Sequence, residues 1–348
     1  MSFPASLPAS RIPSPMEAPA LRWGILGTGW IASQFIRSVK AHTRQIIAAV
    51  GSRNAQTAAA FAQTHEIAGA HGSYEALVND AAIDVIYVAT PHNFHHEHVL
   101  LALNAGKHVL VEKPMALNKA QADEMVALAR SKGLFFAEAL WTFFLPKFDV
   151  IEQIIQAGVL GDIRSVYTEY GEYLPTDHRL FDPRLAGGPL LDLGTYPVAM
   201  IARLMGAPAQ VVGLGQADPS GVNGQLAVVM TDAAGNLATM GTSPYGFTPT
   251  NAAIVGSKAT IRFISEFNLP GPFELRSRDG DVVLRYEEPC GRHFDGLYYE
   301  AAEVARCIAA GKTETPCRPL NGSLDTMAAL DAIRRAVGID FAAAGLKE

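Results

Sequence analysis

Apolar positions in the first part of the chain come in short, nearly continuous runs. Residues 21–26, 45–50, 83–89, 109–111 and 134–137 each form a run of strand length, and stretches of helical periodicity separate them. Strands alternating with helices predict a parallel sheet joined by right-handed crossovers. Beyond Trp141 an amphipathic helix is predicted over residues 147–157, stopped at Gly158, and then the period changes. Alternating runs around residues 163–173, 211–214, 226–231, 237–241, 252–255, 260–263 and 282–286 predict strands, with Asp279-Gly280 as a hairpin turn. Helices are predicted over residues 298–310 and 324–337, the last expected near the domain junction. The fold class is therefore α/β: an N-terminal Rossmann-type domain with a parallel sheet, then an α+β domain with a large open, mostly antiparallel sheet.

A length of 348 residues suits two cores better than one. The expected division is a flexible tail over residues 1–20, a dinucleotide-binding domain over 21–140 and a substrate and oligomerisation domain over 141–348. The tail is rich in Pro, Ser and Ala with Arg11 as its only cation, a composition unlike a secretory signal or a membrane span. A net charge of -6 arises from scattered carboxylates, and no basic stripe interleaved with aromatics offers itself to nucleic acid. Cys290, Cys307 and Cys317 are odd in number and far apart, which reads as reduced thiols in a cytoplasmic protein. An open sheet with one helix-covered face predicts a homodimer or homotetramer through the other.

Candidate chemistry gathers where the predicted parallel strands end. Gly27-Thr28-Gly29, completed by Ala32, fills G-x-G-x-x-A between a strand and a helix. Glycines there let a pyrophosphate approach the backbone at the helix start, beside Trp30 and Ile31. The second strand ends in Ser52-Arg53, where an NAD site carries an acid for the ribose; a guanidinium instead matches a 2′-phosphate and predicts NADP, with NAD as the alternative. The run 83–89 ends in Thr90-Pro91-His92-Asn93, followed by His95, His96 and His98. Four histidines in seven residues invite a metal reading, but no cysteine or third well-placed ligand accompanies them. A helix start beside the nicotinamide ribose, with Thr90, Pro91, Asn93 and His96 as cofactor contacts and no metal, is the reading taken here.

The run 109–111 leads into Glu112-Lys113-Pro114, and the stretch from Ala105 to Pro114 resembles the most recognisable segment of the glucose-fructose oxidoreductase, inositol dehydrogenase and MocA superfamily. Within it, Glu138-Ala139-Leu140-Trp141-Thr142-Phe143-Phe144-Leu145-Pro146, Gly158-Val159-Leu160-Gly161-Asp162 and the run from Ala186 to Tyr196 are most similar to the dimeric dihydrodiol dehydrogenase and NADP-dependent D-xylose dehydrogenase branch. Phe143 departs from the Arg common there, and Thr57 from a second basic residue near the 2′-phosphate. The resemblance implies an NAD(P)-dependent dehydrogenase or reductase acting on a carbinol of a sugar, cyclitol or vicinal diol. Glu112, Lys113 and Trp141 then join the cofactor contacts.

Oxidising a carbinol needs a base at its hydroxyl, and the reverse reaction an acid there. Tyr196 is the candidate acid/base, Lys113 the ammonium that stabilises its phenolate, and Asp192 an orienting group one helical turn before it. Many members of the superfamily have His where Tyr196 falls. Trp141, Phe144, Tyr173, Phe181 and His178, with Arg179 beside it, are candidate substrate contacts. The competing class is a non-catalytic nucleotide-binding sensor of the same fold, which has no need of Lys113, Asp192 and Tyr196 together.

Overall fold

The computed structural model describes residues 3–342, 345 and 346. The first strands and helices are β1 (Arg22–Leu26), α1 (Trp30–His42), β2 (Ile46–Gly51), α2 (Ala55–Thr64), β3 (Gly69–His71), α3 (Tyr74–Val78), β4 (Val85–Val88), α4 (His95–Asn104), β5 (His108–Glu112), α5 (Lys119–Lys132) and β6 (Phe136–Ala139). There follow α6 (Pro146–Gln156), β7 (Ile163–Gly171), α7 (Pro189–Asp192), α8 (Thr195–Met205), β8 (Gln210–Ala217), β9 (Asn223–Thr231) and β10 (Leu237–Ser243). The chain closes with β11 (Ala252–Gly256), β12 (Ala259–Phe263), β13 (Phe273–Ser277), β14 (Val283–Tyr286), α9 (Leu297–Ala309) and α10 (Leu320–Val337). These elements form two compact units, one of residues 13–144 with 292–320, the other of residues 3–12, 145–291 and the described residues from 321 on.

In the first unit six parallel strands stand in the order β3-β2-β1-β4-β5-β6. Their runs are apolar because helices cover both faces of such a sheet; Ile25, Val50, Val85, Ile86, Val109, Leu110 and Phe136 have no exposed surface. Helix starts follow local side chains. Asn54 accepts the Gln56 and Thr57 N–H groups at 2.8 and 3.1 Å, Ser73 accepts from Ala76 at 3.1 Å, and Asn118 from Gln121 at 2.9 Å. The same unit takes in α9, which packs on α1, and a fully buried ion pair: Arg318 donates twice to Glu138, at 2.7 and 3.0 Å.

In the second unit the order is β14-β13-β12-β11-β7-β10-β9-β8, antiparallel throughout except where β7 meets β10. The predicted hairpin forms between β13 and β14, with Gly280 at φ +81°. Along β9, Leu226, Val228 and Met230 are buried while Gln225, Ala227 and Val229 point the other way. Helices α7 and α8 lie on the buried side, against β7, β9 and β10.

Three expectations are corrected. The division at residue 141 is too simple, because residues 292–320 belong with the nucleotide-binding unit, anchored there by α9 and Arg318. The described part of the expected tail, residues 3–20, is not free. Arg11 forms a paired contact with Asp149 (2.7 and 3.0 Å), Arg306 binds the carbonyls of Pro13 and Ser14, and Ala18 is buried against Ala302 and Ala305. Strand β13 is an addition to the predicted set; its alternating Glu274 and Arg276 pair with each other at 2.6 Å.

Candidate active site

The strand order of the first sheet reverses between β1 and β4, which opens a crevice at their carboxyl ends. Gly27 sits there at φ +115°, and a Cβ on it would lie 2.8 Å from the Ala89 carbonyl oxygen. Only glycine fits. Gly29 is the N-cap of α1 and gives it no side-chain cap, so the amides that open the helix at Trp30 and Ile31 are left to an anion. Thr28 lies inside this turn. The cradle fits a dinucleotide pyrophosphate on the shape of these residues alone.

At the end of β2, Ser52 is buried and its Oγ accepts the Asn54 N–H at 3.4 Å. Arg53 is exposed, its guanidinium 6.0 Å over the Phe94 ring. Burial raises the Tyr74 hydroxyl above its ordinary value, and Arg53 opposes that. No carboxylate follows β2 before α2, and Thr57 occupies the first turn of α2.

At the end of β4 the histidines are engaged as structure. His95 is buried, with Nδ1 2.8 Å from the Pro114 carbonyl and Nε2 2.9 Å from that of Thr90, so it ties the β4 and β5 ends together. Burial lowers its pKa to about 3, outweighing the carbonyls, and the neutral ring donates to one of them at a time. His98 Nδ1 meets Thr90 Oγ1 at 2.9 Å, and His96 pairs with Glu124 at 2.8 Å. Among the described residues no three metal-ligating side chains stand together. Pro91 is exposed, and the Oδ1 of Asn93 is buried without a hydrogen-bond donor among the described residues, an acceptor left for a ligand hydroxyl.

At the end of β5, Tyr87 donates its hydroxyl to Glu112, and the Lys113 backbone N–H donates to Glu112 at 3.2 Å. Glu112 therefore shapes the backbone from which Lys113 projects. Sequence reasoning missed two residues here. Glu300 of α9 has no exposed surface, and burial followed by the Glu112 charge pushes its carboxyl well above the ordinary range. His293, just before α9, has ring contacts with Trp30 and Trp141, and burial followed by the Lys113 and Arg292 charges lowers it to about 4. Neither lies in a local motif; His293 is 180 residues along the chain from Lys113, and Glu300 is 188 from Glu112.

The second unit carries the other candidates. Tyr196 is buried in the first turn of α8, its ring edge-on to Tyr170 with centroids 5.6 Å apart. Tyr170 donates to Glu172 at 2.7 Å, and burial, then the Glu172 charge, raises its hydroxyl well above the ordinary value. Asp192 and Tyr196 do not share one helix as expected. The chain breaks between α7 and α8 at Leu193-Gly194, where a Cβ on Gly194 would stand 2.6 Å from the Leu190 carbonyl. Asp192 is buried and bound by Arg179 at 2.8 Å. His178 accepts the Leu180 N–H at 3.2 Å and is half-buried, while Phe181 is buried and Tyr173 is 62% exposed. Trp141 and Phe144, in the single turn after β6, are each 1% exposed, so neither ring offers a face without rearrangement.

A six-stranded parallel sheet with a glycine cradle at its switch point, joined to a mixed eight-stranded sheet, defines a dinucleotide-dependent oxidoreductase. The chain belongs to the GFO/IDH/MocA oxidoreductases: residues 21–139 match their NAD-binding Rossmann fold and residues 148–262 the C-terminal domain of the same family. It is 36% identical over 332 residues to trans-1,2-dihydrobenzene-1,2-diol dehydrogenase of Bos taurus, covering 92% of this chain and 98% of that one. The Homo sapiens protein of that name is 34% identical over 333 residues, with the same coverage. Among solved structures the fold is shared with a 3-ketoreductase from Actinomadura kijaniata in complex with NADP (TM-score 0.78, 24% identity, 92% and 98% covered). It is shared also with a levoglucosan dehydrogenase in complex with NADH and levoglucosan (TM-score 0.81, 18% identity, 92% and 98% covered).

Proposed function

We propose that this oxidoreductase prefers NADP and interconverts a carbinol and a carbonyl on a sugar, cyclitol or vicinal diol, with Tyr196 as acid/base, Lys113 as its electrostatic partner and Asp192 as an orienting group. The observation that carries the reading is the placement of Lys113 at the carboxyl end of β5, in the half of a doubly wound sheet that serves the nicotinamide. The nicotinamide, when bound, supplies or takes the hydride. The chain's own residues handle the proton: the Tyr196 hydroxyl exchanges it with the substrate hydroxyl, and an ammonium nearby stabilises the phenolate. Asp192, held by Arg179, has a fixed carboxylate with which to orient a substrate hydroxyl. Relatives named for a dihydrodiol and a neighbouring fold named for levoglucosan support the substrate class. The test is a screen of sugars, cyclitols and vicinal diols with NADP and NAD, read at the reduced-nicotinamide band; turnover with none of them contradicts the reading.

We infer no role for a metal, because side chains supply the acid/base chemistry. Activity is expected to survive prolonged chelation unchanged; loss on chelation with recovery on adding zinc would overturn this. Among the described residues no helix is long and apolar enough to cross a membrane. Cys290, Cys307 and Cys317 are present as thiols, which supports a reducing, cytoplasmic setting.

The eight-stranded sheet supports self-association. On the face away from α7 and α8, Tyr167, Thr239, Val229 and Val212 stand in one row across four strands, and Glu169, Gly241, Ala227 and Leu214 in the next. Leu214 is 82% exposed and Val212 71%, an apolar face of the kind a second copy covers. Leu214→Glu is expected to shift the molar mass measured by light scattering from dimer or tetramer toward monomer. A wild-type protein that is monomeric at micromolar concentration contradicts the proposal.

A further inference from the structure

The segment between β14 and α9 joins the nucleotide-binding unit and carries His293, which has no part in the proposed proton chemistry. His293 lies in a single helical turn, Arg292 capping it through a 2.8 Å hydrogen bond from its N–H to Asp295. Phe294 is fixed as well: its carbonyl accepts the Ser38 hydroxyl and its ring meets His42 at 5.2 Å, both on α1. The turn is thus docked on α1 at two points. The His293 ring stands edge-on to Trp30 (centroids 5.5 Å, 85°) and tilted against Trp141 (5.4 Å, 47°).

Those two indoles mark the site. Trp30 is the first residue of α1, directly after the glycine turn, and Trp141 opens the turn after β6. Lys113 is close enough for its charge to act on the imidazole. Neither ring nitrogen of His293 has a hydrogen-bond partner among the described residues, and the half-buried ring, held between two indoles, keeps its nitrogens open to a bound molecule. A polar ring fixed in place with its donor and acceptor unspent, beside the glycine turn and Lys113, is set to meet a ligand atom.

We propose that His293 is a dinucleotide-binding residue whose imidazole hydrogen-bonds an oxygen, phosphate or ribose hydroxyl, of the nicotinamide half of the cofactor. The proposal rests on the nucleotide-binding reading of this unit and not on the substrate. The half is assigned by position, because β5 and β6 serve the nicotinamide side of a doubly wound sheet while β2 serves the adenine side. Desolvation and the Lys113 ammonium keep the ring neutral, so it offers one N–H and one lone pair near neutral pH.

The experiment is calorimetric titration of wild type, His293→Phe and His293→Gln with NADPH and NADH. Adenosine 2′,5′-bisphosphate and ADP serve as the probes of the adenine half. Phenylalanine preserves the packing between Trp30 and Trp141 but removes the nitrogens, whereas glutamine restores a donor and acceptor. On the order of ten-fold weaker binding of the preferred dinucleotide is expected for His293→Phe, partial recovery for His293→Gln, and no change for either adenine-half probe. Wild-type affinity in His293→Phe overturns the proposal, leaving the ring a packing element. So does equal loss of the adenine-half probes, which points to collapse of the turn. A wild-type protein that binds neither dinucleotide overturns this and the nucleotide reading together, whereas failure of turnover with intact binding touches only the substrate reading.

Discussion

Replacing Tyr196 by Phe is expected to lower turnover by on the order of 100-fold or more while leaving nucleotide affinity nearly unchanged. The substitution removes one hydroxyl and keeps the ring that packs edge-on to Tyr170, so folding should be preserved. Without the hydroxyl the proton of the carbinol has no positioned acceptor, and the barrier rises by the whole general-base contribution. If Lys113 is the cation of the proposed pair, Lys113→Met is expected also to depress turnover and shift the pH profile, because a phenolate at Tyr196 would lose that stabilisation. Steady-state rates and separate titrations with NADPH check both. Near-normal turnover in Tyr196→Phe moves the acid/base role to Lys113 or elsewhere.

Arg53→Glu is expected to shift the ratio of NADP to NAD efficiency by about 100-fold toward NAD. The guanidinium is exposed over Phe94 at the end of β2, where it can pair with a 2′-phosphate through two N–H groups and lie flat on an adenine. A carboxylate there repels the phosphate and accepts from a ribose hydroxyl instead. The comparison is kcat/KM for each cofactor in both proteins. A wild-type enzyme that uses NAD as well as NADP contradicts the assignment.

The first sheet was legible because a buried parallel strand is apolar on both faces and announces itself as a run ending in Gly, Thr-Pro or Glu-Lys-Pro. The three-residue strand β3, Gly69–His71, escaped because it has no such run and is not buried. In the second sheet, strands with an alternating face were found; β13 alternates as well, Phe273 and Leu275 inward against Glu274 and Arg276, and was nonetheless passed over. The break between α7 and α8 needs the close approach of Gly194 to Leu190, a tertiary fact, and so the expected single helix bearing Asp192 and Tyr196 is two. Glu138 was legible only as part of a motif; its buried partner Arg318 lies 180 residues away and no local pattern links them. For the same reason His293 and Glu300, which share a unit with Lys113, left no mark that sequence spacing could reveal.

The most direct measurement of the central claim follows one atom. A substrate from the screen carrying deuterium on the carbinol carbon is turned over with oxidised cofactor, and the reduced cofactor is examined by NMR. Transfer of one deuterium to C4 of the nicotinamide, on a single face of the ring, is the predicted result. Reduced cofactor without the label, or tight cofactor binding with no turnover of any carbinol tested, contradicts the account and favours a nucleotide sensor.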